Sequence, residues 1–205
     1  MNSKLRHLVL VGALFAIGLG TALLGAGKEA DAAGPDLFLG KKTSATTVYF
    51  VNDWFCPVCI RTEPVIEKIY PTIAGSARIG FVDFPIHGET TNFTPYNTYF
   101  LTHEKGKYIA IRKALSALTR KTKKPSHGEV KAAVAPLGVK LPQLKTSDTL
   151  FGLQSNLMVY RGYDVTMTPT AVVTNSRTKK TRLLAGKNRI SELSIKTAIA
   201  QVENR

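Results

Sequence analysis

Hydrophobic positions along the chain fall into short blocks whose spacing alternates between that of strands and that of helices. Residues 46–51 (TTVYFV) are a β-branched and aromatic run closed by Asn52-Asp53, which predicts a buried strand. Over 60–70 the spacing changes. Val58, Cys59, Ile66 and Ile69 mark one apolar helical face, and Pro57 suits a first helical position. Pro64 is expected to kink this helix, because it lacks an N–H and crowds the carbonyl of Ile60; Pro71 is expected to end it. Residues 78–84 (RIGFVDF) predict a second strand, parallel to the first across a right-handed crossover.

Residues 94–160 are helical in pattern. One long helix is expected around 95–120, then a basic break at 121–125, a helix around 126–135 and another around 147–160. Residues 170–174 (TAVVT) and 181–185 (TRLLA) read as strands joined by a polar turn, hence a hairpin, and 190–202 as a final amphipathic helix. Residues 33–45 read as a polar lead containing Gly and Pro. The order β, α, β, helical insertion, β, β, α predicts an α/β fold. A central sheet is covered by helices on both faces, with a helical subdomain inserted at about 94–160.

The N-terminus divides the chain. Lys4 and Arg6 precede residues 8–27, which carry no charge, and Ala30-Asp31-Ala32 offers the small residues of a cleavage site. Together these predict a secretory signal over 1–32. The alternative is an uncleaved anchor, since 20 apolar residues can span a bilayer. Its five glycines weaken that segment as a helix. In either case the positive flank stays inside and residues 33–205 are exported, to a periplasmic or other extracytoplasmic location.

Charge and cysteine count then narrow the chemistry. There are 28 Lys and Arg against 14 Asp and Glu, a net charge of +14. Removing 1–32 takes away Lys4, Arg6 and Lys28 with Glu29 and Asp31, so the basicity belongs to the exported domain. Such a balance suits an anionic neighbour, and export counts against nucleic acid. Two cysteines exclude a disulfide-dense scaffold and a four-cysteine metal centre, but in an oxidising compartment they can pair.

Cys56-Pro57-Val58-Cys59 follows a strand and opens a helix. A sulfur there meets free N–H groups and the positive end of the helix dipole, both of which favour the thiolate. An ordinary cysteine is only about 3% thiolate at pH 7, and a pKa near 6 would make it roughly 90%. Stabilising the thiolate also makes the disulfide more oxidising. Cys59, one turn further in, is expected to be buried and to resolve mixed disulfides formed on Cys56. Two other readings stand beside this one. The first is a structural disulfide, although so short a loop adds little stability. The second is a copper-handling dithiol or metal site recruiting a histidine such as His87, although no Met or His stands at close spacing. Met167-Thr168-Pro169-Thr170, just before a strand, is the other signal.

Five stretches in order resemble the DsbA-like branch of the thioredoxin superfamily. They are Leu39-Gly40; Asp53-Trp54-Phe55-Cys56-Pro57-Val58-Cys59; Asp83-Phe84-Pro85 with His87-Gly88; Gly106-Lys107-Tyr108; and Thr168-Pro169-Thr170. They cover essentially residues 37–203. The resemblance implies a thioredoxin-like fold with an inserted helical subdomain, and an exported thiol:disulfide oxidoreductase with no cofactor beyond its own disulfide. Cys56 is then the nucleophile and Cys59 the resolving thiol, with Pro57 and Val58 completing the motif. Pro169 is cis against the sulfurs, Thr168 offers backbone groups to the substrate, and the insertion frames an apolar peptide groove. Implied partners are cysteine-containing exported proteins and a membrane redox protein. Oxidation of substrate dithiols is the expected direction, with reduction or isomerisation as the alternative.

The chain departs from the family at several places. Val58 stands where the strongest oxidases carry histidine, so a less oxidising pair is expected. Phe50 occupies the place, six residues before Cys56, where many relatives carry a buried carboxylate. That leaves the proton acceptor for Cys59 open, with Asp53 a helix cap or a relay. Trp54 and Phe55 are expected to be part packing and part exposed platform. Residues 33–45 leave no room for the N-terminal dimerisation module of the disulfide isomerases, which favours a monomeric oxidase.

Overall fold

The computed structural model describes residues 35–204, so the signal or anchor expected over 1–32 lies outside the described residues. Five strands form one sheet: β1 (Phe38–Gly40), β2 (Thr46–Asn52), β3 (Arg78–Asp83), β4 (Thr170–Asn175) and β5 (Thr181–Ala185), in the order β1-β3-β2-β4-β5. β2 and β3 are parallel, as a crossover through a helix requires, and the other three pairings are antiparallel. The helices are α1 (Pro57–Ile73), α2 (Thr94–His103), α3 (Tyr108–Leu118), α4 (His127–Val134), α5 (Thr146–Gly162) and α6 (Glu192–Glu203). Among the described residues no helix is long and apolar enough to cross a membrane.

Side chains alternate across the sheet with the period of two that strands impose. Val48 and Phe50, Ile79 and Phe81, and Ala171 and Val173 enter the main core with Ile66, Ile69 and Ile73 of α1 and Ile195 and Ile199 of α6. Val51, Val82 and Val172 point to the other face, where Val159 and Tyr160 of α5 pack over them. Gly80 interrupts β3 for a steric reason: a Cβ there would sit 2.7 Å from Cδ1 of Tyr49. Gly152 lets α5 approach α2, because a Cβ would lie 2.9 Å from Cβ of Thr98.

Four expectations need correction. The polar lead contains a strand: β1 pairs with the edge of β3, and Leu39 is buried. The helix expected around 95–120 is two helices, α2 and α3. The backbone breaks at Glu104 (φ −126°, ψ 39°), turns through 105–107, and restarts at Tyr108, whose ring is fully buried. Pro71 does not end α1, which continues to Ile73. Both interior prolines of α1, Pro64 and Pro71, are exposed, so water can satisfy the carbonyls they leave unpaired. Burying Ile69 and Ile73 yields roughly 3–6 kcal/mol, which offsets the ~3 kcal/mol that an interior proline costs. The fourth correction, at Trp54, concerns the site.

Candidate active site

Cys56 is the N-cap residue of α1, with extended dihedrals (φ −71°, ψ 118°). No side-chain oxygen caps this helix and no acidic residue sits in its first turn, so its sulfur meets the free N–H groups. Burial raises the Cys56 thiol, but the N–H groups of Cys59 and Val58 and the side chains of Thr168 and Cys59 outweigh it. The net shift is downward. Cys59, one turn in and 1% exposed, is pushed by burial up to about 12. Both cysteines carry free thiols. One sulfur is therefore primed as a thiolate and reachable, while the other is held as a thiol beneath it.

The loop before β4 closes over this pair. The Thr168–Pro169 peptide is cis, and Sγ of Cys56 donates to the carbonyl of Thr168 at 3.8 Å. Oγ1 of Thr168 is buried beside the two sulfurs and has no hydrogen-bond partner other than them. Thus Cys56, Cys59, Thr168 and Pro169, far apart in sequence, meet at one end of the sheet, with Pro57 exposed and Val58 half-buried beside them.

Asp53 fastens the other side. It is 1% exposed. Its Oδ1 accepts from the N–H groups of Phe55 (2.7 Å) and Cys56 (3.1 Å) and from Oγ1 of Thr90 (2.8 Å). Its Oδ2 accepts from the N–H of His87 (2.6 Å) and faces Nδ1 of the same residue at 3.1 Å. These contacts fill the carboxylate and make it a clamp on the turn before α1 that ties 53–56 to the 87–90 segment. His87 is thereby engaged with Asp53, and no group of three metal-ligating side chains exists among the described residues. Trp54 is buried rather than an exposed platform. Its ring packs against Phe93, with the Arg112 guanidinium 4.6 Å from the ring centroid; Phe55 is half-buried on Phe93.

A buried charged network behind the site was not foreseen. Glu63 of α1 takes two hydrogen bonds from Arg112 of α3, at 2.9 and 2.6 Å. Nη1 of Arg112 reaches Oη of Tyr108, which donates to Asn97, and Nδ2 of Asn97 donates to Oδ1 of Asp83 at 3.1 Å. Burial pushes the Asp83 carboxyl up to about 6 against the pull of the Arg112 charge. Its Oδ2 and Nε1 of Trp54 are both buried without a partner. The only sequence signal is an acid at the end of an apolar strand, and nothing in the sequence around Arg112 marks it as buried.

No protein-family model matches the chain, and no curated protein matches it. Solved structures do. A periplasmic thioredoxin-like protein from Salmonella enterica serovar Typhimurium aligns at 17% identity over 80% of this chain and 87% of its own, with a TM-score of 0.60. The catalytic domain of Proteus mirabilis ScsC aligns at 20% identity over 84% and 90%, with a TM-score of 0.60. The chain has a DsbA-like thioredoxin fold. Oxidised BdbD from Bacillus subtilis is similar at 17% identity over 83% of this chain and 96% of its own, with a TM-score of 0.57. In this DsbA-like frame, helices α2 to α5 occupy the stretch between β3 and β4.

Proposed function

We propose that this chain is an exported thiol:disulfide oxidoreductase that oxidises cysteine pairs in envelope or secreted proteins. The observation that carries the reading is the placement of Cys56 at the N-terminus of α1, with Cys59 buried below it and Thr168–Pro169 across from it. Similarity to a periplasmic thioredoxin-like protein and to BdbD, solved in an oxidised form, supports an extracytoplasmic redox role.

In the forward reaction a substrate thiolate attacks Sγ of Cys56 in the Cys56–Cys59 disulfide. That S–S bond breaks, Cys59 leaves as a thiolate and takes up a proton, and a mixed disulfide forms on Cys56. The substrate's second thiolate then attacks its own sulfur in the mixed disulfide. Cys56 leaves as a thiolate, which its surroundings favour, and the substrate keeps the new disulfide. Two electrons have moved to the protein. A membrane redox partner removes them and restores the disulfide. Residues 1–32 direct export, and the protein works as a monomer without a metal or organic cofactor. Donation of electrons by the same pair, as a reductase or isomerase, is the competing direction.

Rapid alkylation of cells, followed by separation of the oxidised and reduced forms, decides direction. A mostly oxidised steady state is expected of the oxidase, whereas a mostly reduced one assigns the protein to reduction.

A further inference from the structure

The turn that follows β5 sits beside the redox pair and carries unpaired positive charge. Gly186 (φ 86°) donates its N–H to the carbonyl of Pro169 at 2.8 Å, which pins the turn to the cis peptide loop. Arg189 donates to the carbonyl of Gly186 at 3.0 Å, and Ile190 to that of Lys187 at 3.1 Å. Ile190 itself is buried in the main core, so the turn is anchored at both ends. Residues 187–189 lie against α1, the helix that presents Cys56. Gly186 is thus one hydrogen bond from Pro169, whose neighbour Thr168 touches the Cys56 sulfur, and Lys187 follows Gly186 directly in the chain.

Lys187 and Arg189 are exposed and form no ion pair among the described residues. Neither does Arg61, exposed on α1 one turn beyond Pro57. Several carboxylates of the domain are engaged elsewhere. Asp53 is filled by main-chain and side-chain donors, Glu63 is paired with Arg112, Glu89 with Lys123 and Glu192 with Lys196. Asp164, exposed five residues before Pro169, forms no ion pair among the described residues.

We propose that Lys187 and Arg189, with Arg61, form a cationic rim that selects cysteine-bearing polypeptides carrying carboxylates within a few residues of the reacting cysteine. An extended chain advances about 3.3 Å per residue, so a Glu two to four positions from a cysteine held at Cys56 comes within reach of the rim. Opposite charges at that range accelerate encounter and orient the peptide, and salt weakens both effects. The inference rests on the redox reading above.

The test uses the oxidised protein and three Cys-x-x-Cys peptides flanked by Glu, Gln or Lys, with reduction of the protein followed by rapid quench. At low salt the Glu peptide is expected to react at least 5-fold faster than the Gln peptide, and the Lys peptide slowest. In Lys187→Gln/Arg189→Gln the Glu-to-Gln rate ratio should fall at least 3-fold. Arg177→Gln/Lys179→Gln removes the same charge from the exposed turn at the other end of the β4–β5 hairpin, and should keep the ratio. An unchanged ratio in the rim variant, or an equal fall in the distal one, overturns the rim. If the Gln peptide and dithiothreitol both fail to reduce the protein, the redox reading itself fails, and the rim with it.

Discussion

The sulfur of Cys56 lies 3.8 Å from the carbonyl oxygen of Thr168, across the sheet end from a cis peptide to Pro169. Of the two thiols, Cys56 is the one a partner can approach, since Cys59 is 1% exposed. Burial pushes the Cys59 thiol up while first-turn donors draw Cys56 down. Iodoacetamide should therefore modify Cys56 alone in the reduced protein, at a rate whose pH midpoint lies below the ordinary cysteine range. Cys59→Ala should accumulate mixed disulfides through Cys56, and Cys56→Ala should accumulate none. Equal trapping by both variants would reverse or abolish the roles.

Val58 is half-buried between the cysteines and contributes its N–H but no side-chain donor. Val58→His places an imidazole beside the sulfur, which should stabilise the thiolate by about 1–2 kcal/mol. The Cys56 pKa should drop by about one unit, and the potential should move about 20–40 mV toward the oxidising side. Thiolate absorbance against pH gives the first quantity and equilibration with glutathione the second. If the potential moves while the pKa stays, thiolate stability does not set the redox poise.

Asp53 accepts hydrogen bonds from three main-chain N–H groups and from Thr90. Asp53→Ala strands these donors, two of them at the entrance to α1. A loss of about 2–4 kcal/mol is expected in chemical denaturation. Thr90→Val removes one donor to Asp53 and the acceptor of the Trp54 N–H, and should cost about 1–3 kcal/mol. A near-neutral Asp53→Ala would show that the 53–56 turn holds itself.

Asp83 supplies the pH dependence. Its carboxyl titrates near 6 in the fold against 3.8 when unfolded, so the native state binds the extra proton between these values. Its contribution to stability is therefore greatest below about pH 4, declines as pH rises toward 6, and stays at its minimum above that. Asp83→Asn keeps an acceptor for Asn97 and removes the charge, while Arg112 retains Glu63. The variant should be more stable than the parent by about 1–3 kcal/mol at pH 7.5, and by little at pH 4. Thermal melts at the two pH values give the difference, and a pH-independent gap would place the charge elsewhere.

The placement of Cys56 and Cys59 at a helix start and the turn to β4 were readable because local pattern decides them. A buried strand, a proline at a first helical position and a proline before a strand leave few arrangements. β1 escaped because three residues (Phe38–Gly40) are too short to show alternation and owe their state to the edge of β3. The break between α2 and α3 escaped because no proline marks it; burial of Tyr108 dictates where α3 starts. The Glu63–Arg112–Tyr108–Asn97–Asp83 network was illegible for a different reason. Whether a charged residue is buried depends on a partner from another element, and no spacing rule connects α1 to α3 to β3. Trp54 follows the same logic, drawn inside by Phe93 and Arg112.

The most direct measurement mixes the oxidised protein, one disulfide per molecule, with excess reduced ribonuclease and counts thiols over time by mass after acid quench. The account predicts that each Cys56–Cys59 disulfide lost appears as one disulfide in the substrate, by way of a complex linked through Cys56, and faster than with an equal concentration of glutathione disulfide. Exchange no faster than glutathione, or a Cys56–Cys59 disulfide that persists beside excess dithiol, would contradict it.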